Sequence, residues 1–160
     1  MIHVIPLLFP ILYSQVVKTI LVPTDFSSAA ESAIREGLPF LSPSGEACKI
    51  LLLNTFPIPC ASLDRSVAMH DEMKEVSSRR LEEERERLRK ALASDQVHFE
   101  LLACAGSLVN VVAYLSQERK VDCVLLGALR NGNDEERQKM LSRVACPVLI
   151  IPPQRLASHR

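Results

Sequence analysis

An excess of charge of either sign is missing from this chain, in which 19 basic residues stand against 19 acidic ones. Nucleic acids select a clustered basic surface, so this balance gives no reason to expect one as a partner. No C-x-x-C pair occurs among the five cysteines, Cys48, Cys60, Cys104, Cys123 and Cys146. An odd, scattered set reads as free thiols in a reducing compartment, serving as small apolar core groups; a thiol-based redox sensor is the minority reading. Metal-spaced histidines are lacking too: His70 and His98 stand alone, His3 and His159 fall in the tails, and no metal site is expected. Nor is there a G-x-S-x-G elbow, a P-loop or a G-x-G-x-x-G turn. Their absence removes the usual hydrolase, NTPase and dinucleotide chemistries, so no catalytic residue is assigned and the chain is read as a non-enzyme.

A membrane span is absent from the same reading. Residues 1–15 carry Ile2, Val4, Ile5, Leu7, Leu8, Phe9, Ile11 and Leu12 without a formal charge, but Pro6 and Pro10 interrupt them. A spanning helix needs about 20 apolar residues, and a signal peptide needs a basic start and a small-residue cleavage site. The segment is therefore read as an apolar extension outside the domain. What remains suits one soluble domain over residues 16–153 and a polar tail over 154–160, since 48% of the 160 residues are apolar and 24% charged.

The stretch that organises this domain is Ile20-Leu21-Val22-Pro23-Thr24-Asp25-Phe26-Ser27-Ser28. A short apolar run gives way to Thr, Asp and Ser, with Ser28 and Glu31 spaced as a capping box, so a buried strand is predicted to turn into a helix. Pro23 has no N–H for a ladder and should end the strand at about Val22. On the helix, Ala30, Ala33, Ile34, Gly37 and Leu41 make a stripe of small residues suited to lying close on a sheet, and Pro39 should kink or end it early. Ala47–Phe56 predicts a second strand, covered on both faces.

Leu63 to Ser94 carries the longest helical pattern, with Met69, Met73, Val76, Leu81, Leu88 and Leu92 as a narrow apolar stripe. Its mixed-sign charge run is read as a solvated face. A third strand from Gln96 to Ala103, a helix from Leu108 to Arg119 and a fourth strand from Val121 to Gly127 follow. An Asn131-Gly132-Asn133 turn, a helix over 135–144 and the strand Val148-Leu149-Ile150-Ile151 complete the chain. Alternating strands and helices joined by short loops imply an α/β fold, a parallel sheet with helices on both faces.

Ile20-Leu21-Val22-Pro23-Thr24-Asp25-Phe26-Ser27, Val121-Asp122-Cys123-Val124-Leu125-Leu126-Gly127 and Cys146-Pro147-Val148-Leu149-Ile150-Ile151-Pro152 together resemble the universal stress protein family. The resemblance runs from about Val17 to Pro152. It implies a five-stranded parallel sheet of order 3-2-1-4-5, Rossmann-like and akin to adenine nucleotide α-hydrolases, a cytoplasmic location, and homodimers that pair through the last strand. Related hydrolase-type enzymes carry a glycine-rich loop after the first strand, whereas Pro23-Thr24-Asp25-Phe26-Ser27-Ser28 has no glycine.

Members of the family that bind ATP look like Gly-x-x-Gly, nine residues, then Gly-Ser or Gly-Thr, starting at the end of the fourth strand. Those glycines let backbone N–H groups close around phosphates at a helix N-terminus. This chain keeps Gly127, places Arg130 where the second glycine belongs and Met140-Leu141 where Gly-Ser belongs, and has a shorter loop that ends in Asp134-Glu135-Glu136. The resemblance is therefore to the subclass without a complete ATP motif. It predicts a dimeric, non-catalytic stress-response protein with no cofactor, acting on protein clients. The alternative is an ATP- or AMP-binding switch, or a very slow ATPase, and the resemblance then implies Asp25, Thr55 and Gly127 as the binding residues.

Overall fold

The computed structural model describes residues 18–60, 62–127 and 134–152; the apolar extension 1–15, the Asn131-Gly132-Asn133 turn and the tail 154–160 lie outside them. In chain order the elements are β1 (Thr19–Pro23), α1 (Ser28–Leu41), β2 (Cys48–Phe56), α2 (Leu63–Leu92), β3 (Val97–Ala105), α3 (Leu108–Glu118), β4 (Cys123–Leu126), α4 (Asp134–Arg143) and β5 (Val148–Ile150). The strands form one sheet of order β3-β2-β1-β4-β5, and every adjacent pair is parallel. β1 is central because it is buried on both faces: Ile20, Leu21 and Val22 are all fully enclosed.

Alternation along the strands divides the core into two layers. Ile20, Val22, Ile50, Leu52, Cys123 and Leu125 face α1 and α2, and pack on Ala33, Ile34, Leu81 and Leu88. Leu21, Leu51, Leu53, Val124 and Leu126 face α3 and α4, and pack on Val112, Leu115 and Met140. The small-residue stripe of α1 does what its composition implies. A Cβ added at Gly37 would lie 2.5 Å from a methyl of Leu125, so any other residue there would have to displace that side chain for the helix to sit this close to β4. At the start of β1 the Asp122 carboxylate accepts from the backbone N–H groups of Lys18 and Thr19, at 2.9 and 2.8 Å, and ties β1 to the entry of β4.

Several local expectations shift. The cap of α1 is Ser27, whose hydroxyl accepts from the N–H of Ala29, and Glu31 pairs with Arg35 instead of reaching back to Ser28. The Asp25 and Ser27 side chains both serve the backbone here, which moves the helix start by one residue. Pro39 lies inside α1, which runs on to Leu41; so near the end, its missing N–H removes one hydrogen bond and leaves the rest intact. Met69 and Val76 of α2 are each 42% exposed, so the inner stripe of that helix is confined to its second half.

Candidate functional site

Open α/β sheets bind ligands beyond the carboxyl ends of the strands, where the strand order reverses. In this sheet that place is the C-terminal end of β1, between β2 and β4. The chain leaves β1 at Pro23, and the N–H of Thr24 still donates to the carbonyl of Leu53, at 2.7 Å. The exposed Asp25 then accepts from the N–H of Ser27, at 2.9 Å, in an Asx turn. Phe26 adopts φ 64°, a left-handed conformation costly for a bulky side chain. Two contacts hold it there: its N–H donates to the Thr24 hydroxyl at 2.9 Å, and the Arg80 guanidinium lies 4.2 Å from its ring centroid.

Thr24 is also the hub of a buried polar network. Its hydroxyl lies 3.0 and 2.9 Å from the two carboxylate oxygens of Glu84, which is 2% exposed. The Asn54 amide donates to the Thr24 carbonyl at 2.9 Å, and its oxygen accepts from the Ser77 hydroxyl at 2.7 Å. Burial pushes the Glu84 carboxyl above the usual range, and the Asp25 and Glu31 charges add to it; the Thr24 hydrogen bond and the Arg87 charge oppose without cancelling it. None of Thr24, Asn54, Ser77 or Glu84 stood out as functional in the sequence. The available signal is spacing: positions 77, 81, 84 and 88 share one helical face, and Ser77 and Glu84 interleave there with Leu81 and Leu88.

Of the three residues implied for a nucleotide, two lie at the same helix start. Asp25 and Gly127 flank the start of α1, Asp25 through its bond to Ser27 and Gly127 through close approach to Ala29. A Cβ at Gly127 would come within 2.5 Å of the Ala29 carbonyl oxygen, so seating of α1 is enough to require glycine there. Thr55 sits one strand away, beside Cys104, and by alternation faces the opposite layer, that of Leu51 and Leu53. Across the rim, α4 begins with Asp134, Glu135 and Glu136 in its first turn. Lys139 bonds Glu135 at 2.7 Å and holds its carboxyl below the usual range, and Arg137 lies 3.7 Å from Asp134. Acids there suit the helix dipole and repel a polyphosphate.

The thiols divide by burial. Burial pushes Cys123 up to about 12 and Cys146 up to about 11, and raises Cys48 and Cys104. These four are poor thiolates, contrary to the depressed value that a redox sensor requires. Cys60 is exposed in the loop after β2. Beside that loop, the end of β2 and the first half of α2 enclose a groove of about 420 Å³ that also reaches Phe26 and Arg80. A smaller hollow of about 260 Å³ lies at the other end of the strands, between the C-terminal ends of α1 and α2. No helix among the described residues is long and apolar enough to cross a membrane.

A family model described as "Universal stress protein family" matches residues 17–152. No curated protein matches the chain by sequence. Among solved structures, the universal stress protein UspA from Lactobacillus plantarum is 14% identical, with 88% of this chain and 100% of that one covered and a TM-score of 0.62. A universal stress protein in complex with cAMP is 20% identical, over 86% of this chain and 98% of that one, with a TM-score of 0.62. A universal stress protein family protein from Arabidopsis thaliana with AMP bound is 19% identical, over 86% and 92%, with a TM-score of 0.61. At these identities the likeness is one of fold.

Proposed function

The chain belongs to the universal stress protein family, and from that premise we infer that it is a non-catalytic, homodimeric, cytoplasmic member that works in the stress response through protein contacts. The observation that carries this reading is the state of the β4 rim. Packing against Ala29 by itself accounts for the glycine at 127, and the helix that follows opens on three carboxylates. A triphosphate laid against that helix start would meet negative charge where phosphate-binding helices offer free N–H groups.

The alternative is a nucleotide switch or very slow ATPase using Asp25, Thr55 and Gly127, with ATP or AMP as ligand. Its support is that two proteins of the same fold were solved with cAMP and with AMP. Thermal melting with and without Mg-ATP separates the two readings. A ligand at one hundred times its dissociation constant adds about 2.7 kcal/mol, which a small domain registers as a rise of several degrees. The expected result is no rise with Mg-ATP or AMP, and no nucleotide absorbance in the purified protein. A rise that Asp25→Ala removes would overturn the proposal. Gly127→Val is a poor control, because its side chain would strike the Ala29 carbonyl whether or not a nucleotide binds.

A further inference from the structure

We propose that the groove between the end of β2 and the first half of α2 binds a singly charged amphipathic anion, a carboxylate or sulfonate carrying a ring system or a short aliphatic chain. Its apolar wall is made by Phe56, Met69, Met73 and Val76. Leu81 and Leu88, farther along the same helix, are 0% and 1% exposed, whereas Met69 and Val76 remain open. Methionine side chains adapt to ligands of varied outline, and about 420 Å³ falls within the range of small-molecule sites.

The polar groups choose the head group. Asn54 uses one amide N–H on the Thr24 carbonyl, which leaves its second N–H to donate into the groove it lines. Arg80, also in the lining, is held against the Phe26 ring, and it takes part in none of the ion pairs among the described residues. A fixed cation and a spare donor call for an acceptor-rich, negative head. Glu72 is the one acid in the lining and would repel further negative charge, so one charge set against Arg80 is accommodated better than a polyphosphate. Asn54 and Phe56 point to the α2 layer and Thr55 to the other, so this groove is separate from the rim by Thr55.

The test is a fluorescence titration of the full chain with anilinonaphthalene sulfonate, followed by competition with decanoate and with the uncharged decanol. One saturable site per chain is expected, with decanoate about fivefold the better competitor and Arg80→Gln erasing that preference. Val76→Trp and, separately, Met69→Trp should fill the groove and abolish binding without lowering the melting temperature, since both positions are exposed. Four results would overturn the proposal: no saturable binding, parent-like affinity in both tryptophan variants, equal competition by decanol, or occupancy that falls as protein concentration rises. The last would mean that a second copy closes the groove.

Discussion

Glu84 is an acid buried on the helix face that carries Ser77, Leu81 and Leu88, and its energetics can be signed. Its carboxyl is raised above the usual value chiefly by burial, so the folded state holds that proton more tightly than the unfolded one. The contribution to stability is then fully present below the usual glutamate range, from about pH 4 downward, and is lost as pH climbs through the folded value. Glu84→Gln keeps an acceptor for the Thr24 hydroxyl and removes the charge, so at pH 7 it should melt at or above the parent temperature, with a flatter profile above pH 4. Glu84→Leu leaves the proton of that hydroxyl without its acceptor, while the bond from the Phe26 N–H remains, and should cost about 1–3 kcal/mol. Calorimetric melting across pH checks both; a Gln variant clearly less stable at pH 7 would mean that the ionised carboxylate is favourable here. The difference between Asp25 and Glu84 marks what was legible at this scale. Asp25 announces itself by following a strand end with Ser27 two residues on, whereas Glu84 hides in a run of exposed charges and is betrayed only by its register with Leu81 and Leu88.

The elements were easier to read than the residues because hydrophobic runs bounded by Pro and Gly mark strands without any knowledge of their neighbours. All five strands stand where the runs lie, although β3 extends to Ala105 and β4 contracts to Cys123–Leu126. Helix α2 misled in one respect, for a geometric reason. Its 30 residues span about 45 Å at 1.5 Å each, whereas the nine residues of β2 or β3 span about 30 Å. The helix therefore exceeds its strands by about three turns, and periodicity cannot tell a stripe that meets a sheet from one that overruns it. Two substitutions in one helix make the difference measurable. Leu81→Ala should cost about 2–5 kcal/mol in urea unfolding, as fully buried leucines do, while Val76→Ala should stay within about 0.5 kcal/mol of the parent. Equal losses would show that the first turns of α2 are packed after all.

At the scale of the whole molecule, periodicity dictated a parallel sheet but not its order, since right-handed crossovers permit several; the order 3-2-1-4-5 came with the family resemblance and is the one observed. That order leaves β3 and β5 as the free edges, and they differ in kind. On β3, Glu100 is paired with Lys49 at 2.7 Å and with Arg119, and charge on an edge discourages pairing with another chain. β5 is Val148-Leu149-Ile150 with no charge to protect it, so it is the edge to expect in a homodimer. Ile150→Asp tests this badly, because Ile150 is 8% exposed and packs in the layer of Met140 and Val112, where a carboxylate damages the core first. The backbone offers a cleaner reading. The N–H of Ile151 donates inward to Leu126 and the carbonyl of Pro147 accepts from Val124, so by alternation the amides of Val148 and Ile150 face outward. In a dimer joined through β5 those two amides should exchange with deuterium slowly at high protein concentration and faster as dilution favours the monomer, in step with the mass measured by sedimentation. A concentration-independent dimer mass with both amides exchanging freely would place the contact elsewhere.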